Sequence, residues 1–145
     1  MRQSKVEMYA HLVWATSRRA QLVRPAMEEF LYRCLHETAE ELGVHVLAAG
    51  GMPDHVHLLV RMPATEAVAR LVRHLKGVSS RRLSERYCTE EPFRWQRGYA
   101  ALSVSSSHLR RVCEYIRGQK ERHARNDTWP ACEEVDEDDH DQGAE

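Results

Sequence analysis

The sequence predicts an α/β (α+β) domain: a ferredoxin-like βαββαβ antiparallel sheet with an added C-terminal helix. Three observations carry this. Residues 6–16, 44–49, 55–61 and 99–104 are short, apolar-rich runs of strand character, the first and third alternating face by face. Two longer segments, beginning at Pro25 and near Pro63, place apolar residues at helical spacing. Read in order, with a last helix beyond the fourth strand, the elements give βαββαβα, and 145 residues suit one core.

In the first strand, Ala10, Leu12 and Trp14 form one face, and Tyr9, His11 and Val13 form the other. Ser17-Arg18-Arg19 is a basic turn. Pro25 opens the first helix. Met27, Phe30, Leu31, Cys34, Leu35, Thr38, Ala39 and Leu42 form its apolar stripe, and Gly43 ends it. The second strand covers 44–49, a Gly-rich turn covers 50–54, and the third strand follows at 55–61. Val68, Leu71, Val72 and Leu75 mark a second helix, interrupted at Lys76-Gly77 and resumed from Ser79 to Glu85. A loop over 87–98 carries Phe93 and Trp95. After the fourth strand, Ser105 to Ser107 offer N-caps for a last helix over His108 to His123. In this topology the first and third strands are neighbours and two helices cover one face. Tyr9, His11, His55 and His57 share the other, which is free for a ligand, a partner subunit or the last helix.

The formal net charge of -1 hides an asymmetry. No Lys or Arg follows Arg125, and residues 133–145 hold eight of the 22 acidic side chains. The first 132 residues carry 21 basic and 14 acidic groups, a net +7, which suits a polyanion partner. The expected division is a domain over 1–130 and an acidic, disordered tail over 131–145. Cys34, Cys88, Cys113 and Cys132 form no CxxC pair, so neither a zinc knuckle nor a redox motif is indicated. Walker and Rossmann glycine patterns are absent. With no apolar leader and no span of membrane length, a cytoplasmic protein with no membrane partner is expected.

The chemistry concentrates in two places. His55 and His57 are two apart on a strand, so both imidazoles leave one face and offer two nitrogen ligands to a divalent ion. Tyr115 and Gln119 are four apart, one turn on one helix face. Gln119 adds an amide oxygen, and mixed N/O ligation without thiolates fits Mn2+ or Mg2+, with zinc also open. A phenol near such an ion can attack a bound phosphate, although its ordinary pKa is about 10. His11 is either a site wall or DNA contact, or a local structural bond. Arg18, Arg19, Lys76, Arg81, Arg82, Arg94 and Arg97 are candidate phosphate contacts, with a solvated helix face as the alternative for the group near residue 81. Trp95 either stacks on a base or plugs a core edge.

On these residues the chain resembles the IS200/IS605 single-tyrosine (Y1) transposases of the HUH nuclease superfamily. The resemblance rests on GMPDHVHLLVRMP at 51–63, LKGVSSRRL at 75–83, WQRGYAALSVS at 95–105 and VCEYIRGQKERH at 112–123. The four segments come in order and cover roughly residues 5 to 125; HVH alone is a weak signal. The resemblance implies Tyr115 as nucleophile and His55, His57 and Gln119 as ligands of Mg2+ or Mn2+. It implies cleavage and rejoining of single-stranded DNA with subterminal hairpins, through a 5'-phosphotyrosine. A homodimer, with exchange of the catalytic helix between subunits as one arrangement, and a nucleoid-associated bacterial or archaeal protein are implied too. The chain departs from the usual pattern at Thr16-Ser17-Arg18-Arg19, where a Thr-Lys form is common. The alternatives are a replication initiator or relaxase of the same superfamily, or a nonenzymatic nucleic-acid-binding derivative of a transposase.

Overall fold

Alternation along the first strand decides what each face of the sheet carries. The computed structural model describes residues 4–87 and 90–133. Strand β1 (Met8–Ala15) pairs antiparallel with β3 (His55–Met62) on one side and β4 (Ala100–Val104) on the other. Strand β2 (His45–Met52) closes the far edge, giving the order β2-β3-β1-β4 expected of a ferredoxin-like sheet.

Helices α1 (Pro25–Glu41) and α2 (Val68–Tyr87) cover one face. Ala10, Leu12, Trp14, Val56, Leu58 and Val60 share one core with Leu31, Leu35, Leu71 and Leu75. Full burial of each such leucine contributes about 1.5–3 kcal/mol, so this layer supplies most of the stabilising apolar area. Gly43 closes α1 at φ +73°, a left-handed conformation that other residues adopt only with strain. The opposite face is partly covered by the same chain. Helix α3 (Leu109–Arg117) packs Val112, Tyr115 and Ile116 against Ala48 and Leu59.

Several elements differ from the sequence-based expectation. Strand β2 runs on to Met52, through the expected turn at 50–54, because Gly50 and Gly51 pair with His57 and Val56. Helix α2 continues through Lys76-Gly77. A glycine inside a helix costs about 1 kcal/mol, which the packing of Leu71, Leu75 and Leu83 outweighs. The last helix is broken: α3 stops at Arg117, and a six-residue α4 (Gln119–Ala124) begins after Gly118. Finally, Pro130–Glu133 form a short helical turn, α5, in a segment grouped with the acidic tail. The rest of that tail, 134–145, and Cys88 lie outside the described residues. Among the described residues no helix is long and apolar enough to cross a membrane.

Trp95 plugs the core edge and is not offered to a base. It is 8% exposed, sets its ring edge-on to Trp14 at 5.9 Å, and donates its Nε1–H to Ser79 Oγ at 2.9 Å. Lys76 likewise serves the fold: its ammonium donates to Gln96 O at 2.6 Å and Gly98 O at 2.9 Å, tying α2 to the loop before β4.

Candidate metal centre and nucleophile

The two histidines open β3 directly after the turn at Pro53-Asp54, and both are buried on the face away from α1 and α2. Their ring centroids are 5.0 Å apart. In each ring the Nδ1 atom is already engaged. His55 Nδ1 lies 2.7 Å from Asp54 Oδ1, and His57 Nδ1 lies 2.9 Å from His11 Nε2. Such contacts fix ring orientation, which is how a metal-binding imidazole is usually aimed. His11 is therefore a buried partner of His57, not a DNA contact on the surface.

Both Nε2 atoms face Glu133. His55 Nε2 is 2.9 Å from Glu133 Oε2, and His57 Nε2 is 3.4 Å from Glu133 Oε1. The carboxylate pairs electrostatically with both rings, while the N–H directions fall short of hydrogen-bond alignment. His55 Nε2, His57 Nε2 and Glu133 Oε2 are buried without a hydrogen-bond partner among the described residues. Buried polar atoms of this kind are rare and call for an explanation. Two imidazoles and one carboxylate converging on a small volume fit a divalent ion.

Tyr115 reaches the same point from α3. Its ring is fully buried, 5.9 Å from the His57 ring, and its hydroxyl donates to Glu133 Oε1. The phenol oxygen accepts from the Trp129 amide at 3.0 Å, and the Trp129 ring stacks on the phenol at 4.0 Å. The Arg122 guanidinium stands over the phenol ring at 4.9 Å. Gly50 makes this delivery possible. A Cβ there would meet Ile116 O at 2.0 Å, so only glycine lets the α3 backbone lie against the residue paired with His57.

Gln119 is buried nearby, but both ends of its amide are occupied. Nε2 donates to Tyr115 O at 3.2 Å, and Oε1 sits 3.0 Å from His123 Nε2. His123 in turn stands 3.4 Å from Glu133 Oε2.

The electrostatics follow from these neighbours. Burial opposes charge on His55, but the Asp54 and Glu133 carboxylates outweigh it and lift its pKa to about 9. Burial dominates for His57 and keeps it lowered. His11 is pushed down to about 3 by burial and by His57. Tyr115 is pushed up to about 12 by burial and by the Glu133 carboxylate. Burial would raise Glu133, yet His55, His57 and Tyr115 hold it well below the carboxylate range.

Glu133 is the residue that composition concealed, since it opens an acidic run. The one usable signal was Trp129, a large aromatic in a polar segment, which commonly docks somewhere. The basic candidates divide by location. Arg18 and Arg19 occupy a 3-10 turn after β1 at φ +55° and +53°, a strained conformation for arginine. Arg19 lies 3.6 Å from Asp54 Oδ2 and donates to Glu133 O at 3.0 Å. Arg94 is exposed beside them, its carbonyl accepting from Ser17 N at 2.9 Å, and Arg97 is exposed further along the loop. Arg81 and Arg82 are on α2, across the sheet from the histidines, and Arg82 stands 3.5 Å from Glu37. Those two are therefore remote from the site.

Comparison with known proteins agrees with this geometry. The family model described as "Transposase IS200 like" matches residues 4–119. The ISDra2 transposase TnpA of Deinococcus radiodurans is 31% identical over 117 residues, covering 77% of this chain and 84% of the relative. The transposase for insertion sequence element IS200 of Salmonella typhimurium is 28% identical, covering 77% and 76%. A crystal structure of a candidate transposase from Deinococcus radiodurans R1 superposes with a TM-score of 0.66 at 27% identity, covering 88% of this chain and 98% of that one. A REP-associated tyrosine transposase bound to a REP hairpin shares the fold, with a TM-score of 0.62 at 16% identity, over 85% and 73% of the two chains. With the matched segment running from before β1 to Gln119, and with its paired histidines and its tyrosine brought to one point, the chain belongs to the IS200/IS605 family of single-tyrosine transposases within the HUH nucleases.

Proposed function

We propose that this protein cleaves and rejoins single-stranded DNA through a 5'-phosphotyrosine formed on Tyr115, with Mg2+ or Mn2+ held by His55 and His57. The observation that carries this reading is the convergence of the Tyr115 hydroxyl and both histidine Nε2 atoms on one carboxylate within a single subunit. When bound, the ion polarises the scissile phosphate and stabilises charge on the leaving 3' oxygen.

The remaining work falls to the chain. Asp54 and His11 hold the far nitrogens of the two imidazoles, so both Nε2 atoms stay aimed at one point. The phenol needs an acceptor for its proton, because its pKa is raised, and Glu133 Oε1 already takes that hydrogen bond. As the Tyr115 oxygen bonds to phosphorus, the bond from phosphorus to the 3' oxygen breaks and that oxygen takes up a proton. The phosphotyrosine retains the phosphodiester energy. Attack by a 3'-hydroxyl reverses the step, restores the DNA strand and frees the tyrosine. Trp129 and Glu133 both lie on the phenol oxygen.

Arg18, Arg19, Arg94 and Arg97 supply backbone contacts at the site's edge, and base choice comes from elsewhere. The substrate class is single-stranded DNA with subterminal hairpins, handled by a homodimer, and 131–145 acts as an acidic tail to the 1–130 domain. The family resemblance supports these assignments.

The test uses labelled single-stranded DNA taken from the element ends. With Mn2+ the parent chain forms a denaturation-resistant protein–DNA adduct. Chelation removes it, and Tyr115→Phe reduces it to background, a loss of at least roughly a thousandfold as expected for a missing nucleophile. A Tyr115→Phe chain that still forms the adduct at the parental rate overturns the assignment.

A further inference from the structure

We propose that Arg122, carried on α4 beyond the matched family segment, is a catalytic residue whose guanidinium holds a non-bridging oxygen of the phosphate that Tyr115 attacks. The inference rests on the phosphotyrosine reading above and names the cation on the nucleophile's side of that phosphate.

Three observations support it. First, among the cations that follow Tyr115, the fold turns this one back to the phenol. Arg117 donates to Leu47 O at 3.2 Å, Lys120 pairs with Glu28, and Arg125 is exposed. Arg122 instead stands 4.9 Å from the centre of the Tyr115 ring and 5.3 Å from that of Trp129. In an unbroken helix it would lie about 10 Å along the axis from Tyr115, at about 1.5 Å per residue. The break at Gly118 and the length of the side chain close that gap. Second, the face of α4 that carries Arg122 is the one turned to the site. Gln119, Arg122 and His123 share that face by their three- and four-residue spacing. Gln119 donates to Tyr115 O, and His123 stands 3.4 Å from Glu133 Oε2. Third, the guanidinium is oriented without being consumed. The two rings hold it by cation–π contact. Its ion pair with Asp127 is loose, at 3.6 Å, and Asp127 is exposed. An exposed pair of that kind yields readily to a better anion.

The reaction needs a cation here. The phosphodiester brings a negative charge to a pocket where the Glu133 carboxylate already contacts the phenol hydroxyl. Like charges that close oppose each other, and a guanidinium offsets the opposition. Its planar fork of N–H donors also matches phosphate oxygens. Arg18, Arg94 and Arg97 lie at the site's edge, whereas Arg122 lies against the nucleophile itself. Arg122 forms no bond to phosphorus and moves no proton. It donates hydrogen bonds to oxygens whose charge the transition state concentrates.

The experiment uses the full chain with Mn2+ and the labelled element-end strand, its cleaved phosphodiester located with the parent. A second strand carries one methylphosphonate at that position, so a neutral methyl group replaces a charged non-bridging oxygen. On the ordinary strand, Arg122→Ala slows formation of the Tyr115 adduct roughly a hundredfold or more, as for loss of one transition-state donor. On the methylphosphonate strand, Arg122→Ala and the parent agree within about threefold, because the charge that the guanidinium served is gone. Mn2+ affinity of Arg122→Ala stays parental, and its urea midpoint shows it folded under the assay conditions.

Equal slowing on both strands overturns the inference, because the guanidinium then acts only by placing Tyr115. A parental rate of Arg122→Ala on the ordinary strand overturns it as well. If the parent does not react with the methylphosphonate strand, Arg122→Lys and Arg122→Gln decide on the ordinary one. A lysine variant faster by about tenfold supports the assignment, and equal rates overturn it by making charge irrelevant at this point. Tyr115→Phe separates the two levels of argument. If it forms the adduct at the parental rate, the phosphotyrosine reading itself fails; if it is inactive while Arg122→Ala is unimpaired, only the role of Arg122 fails.

Discussion

The two faces of this sheet are made by alternate residues of the same strands, yet they do opposite things. Toward α1 and α2, the strands bury Leu12, Trp14, Val56, Leu58 and Val60 in an apolar layer. On the other side, the same β1 and β3 bury His11, His55 and His57, with a small apolar patch around Leu59 and Ile116. Polar burial stabilises little by itself and is costly when unpartnered. The first face therefore secures the strands, and the second spends that rigidity on aiming imidazoles. A side chain's register, odd or even, decides whether its loss damages the fold or the chemistry.

That division can be broken most sharply at adjacent residues. Leu58→Ala empties a fully buried position on the apolar face and should cost about 2–5 kcal/mol in denaturant unfolding. The folded fraction should bind Mn2+ with parental affinity, because Leu58 points away from the histidines. His57→Ala should do the reverse, removing the ion with a smaller loss of stability. A stable Leu58→Ala chain that no longer binds Mn2+ would dissolve the distinction between the faces.

Gly50 tests the seam where α3 meets the second face. Its missing Cβ would stand 2.0 Å from Ile116 O, a backbone atom that cannot rotate aside. Gly50→Ala should thus lift α3 and cost about 1–3 kcal/mol, as overpacking does. The larger effect should fall on Tyr115. A displacement near 1 Å is enough to slow covalent chemistry roughly a hundredfold. Adduct formation should consequently drop well beyond what the shifted unfolding midpoint explains. If rate and stability fell together in proportion, α3 would be a packing element only.

The legible parts of this molecule were those governed by local period. Alternation placed His55 and His57 on one face and Val56 and Leu58 on the other, and the structure keeps that assignment. The pairing of the first and third strands followed from the ferredoxin-like order of elements. Tertiary events were less visible. Lys76-Gly77 resembles a helix break because glycine is a poor helix former, but packing on either side carries α2 through. Gly50-Gly51 resembles a turn, whereas the absent side chains serve the close approach of α3. Four-residue spacing related Tyr115 to Gln119, yet Gly118 breaks the helix between them and the amide turns to His123. Glu133 was hidden for another reason. Acidic runs are ordinarily solvated, and nothing within the run marks the one carboxylate that meets two imidazoles.

The smallest expected effect belongs to Lys76, which sharpens the contrast because it is charged but lies on the apolar side. Burial lowers its pKa to about 8 from the ordinary 10.5. Between those values the unfolded chain binds more protons at this position than the folded one. Stability from this residue therefore rises as pH climbs from about 8 to 10.5, and it is flat below that window. Lysines and tyrosines elsewhere also titrate there, so the informative quantity is the difference between the parent and Lys76→Met in urea. Lys76→Met also loses the bonds to Gln96 O and Gly98 O, but that loss is a constant offset below the window. After solvent screening, the parent should gain about 1 kcal/mol or less on the variant between pH 8 and 10. Mn2+ affinity should be the same in both. A difference that stays level or shrinks with pH would mean that the Lys76 amine is not desolvated, and a loss of Mn2+ binding would tie α2 to the metal face after all.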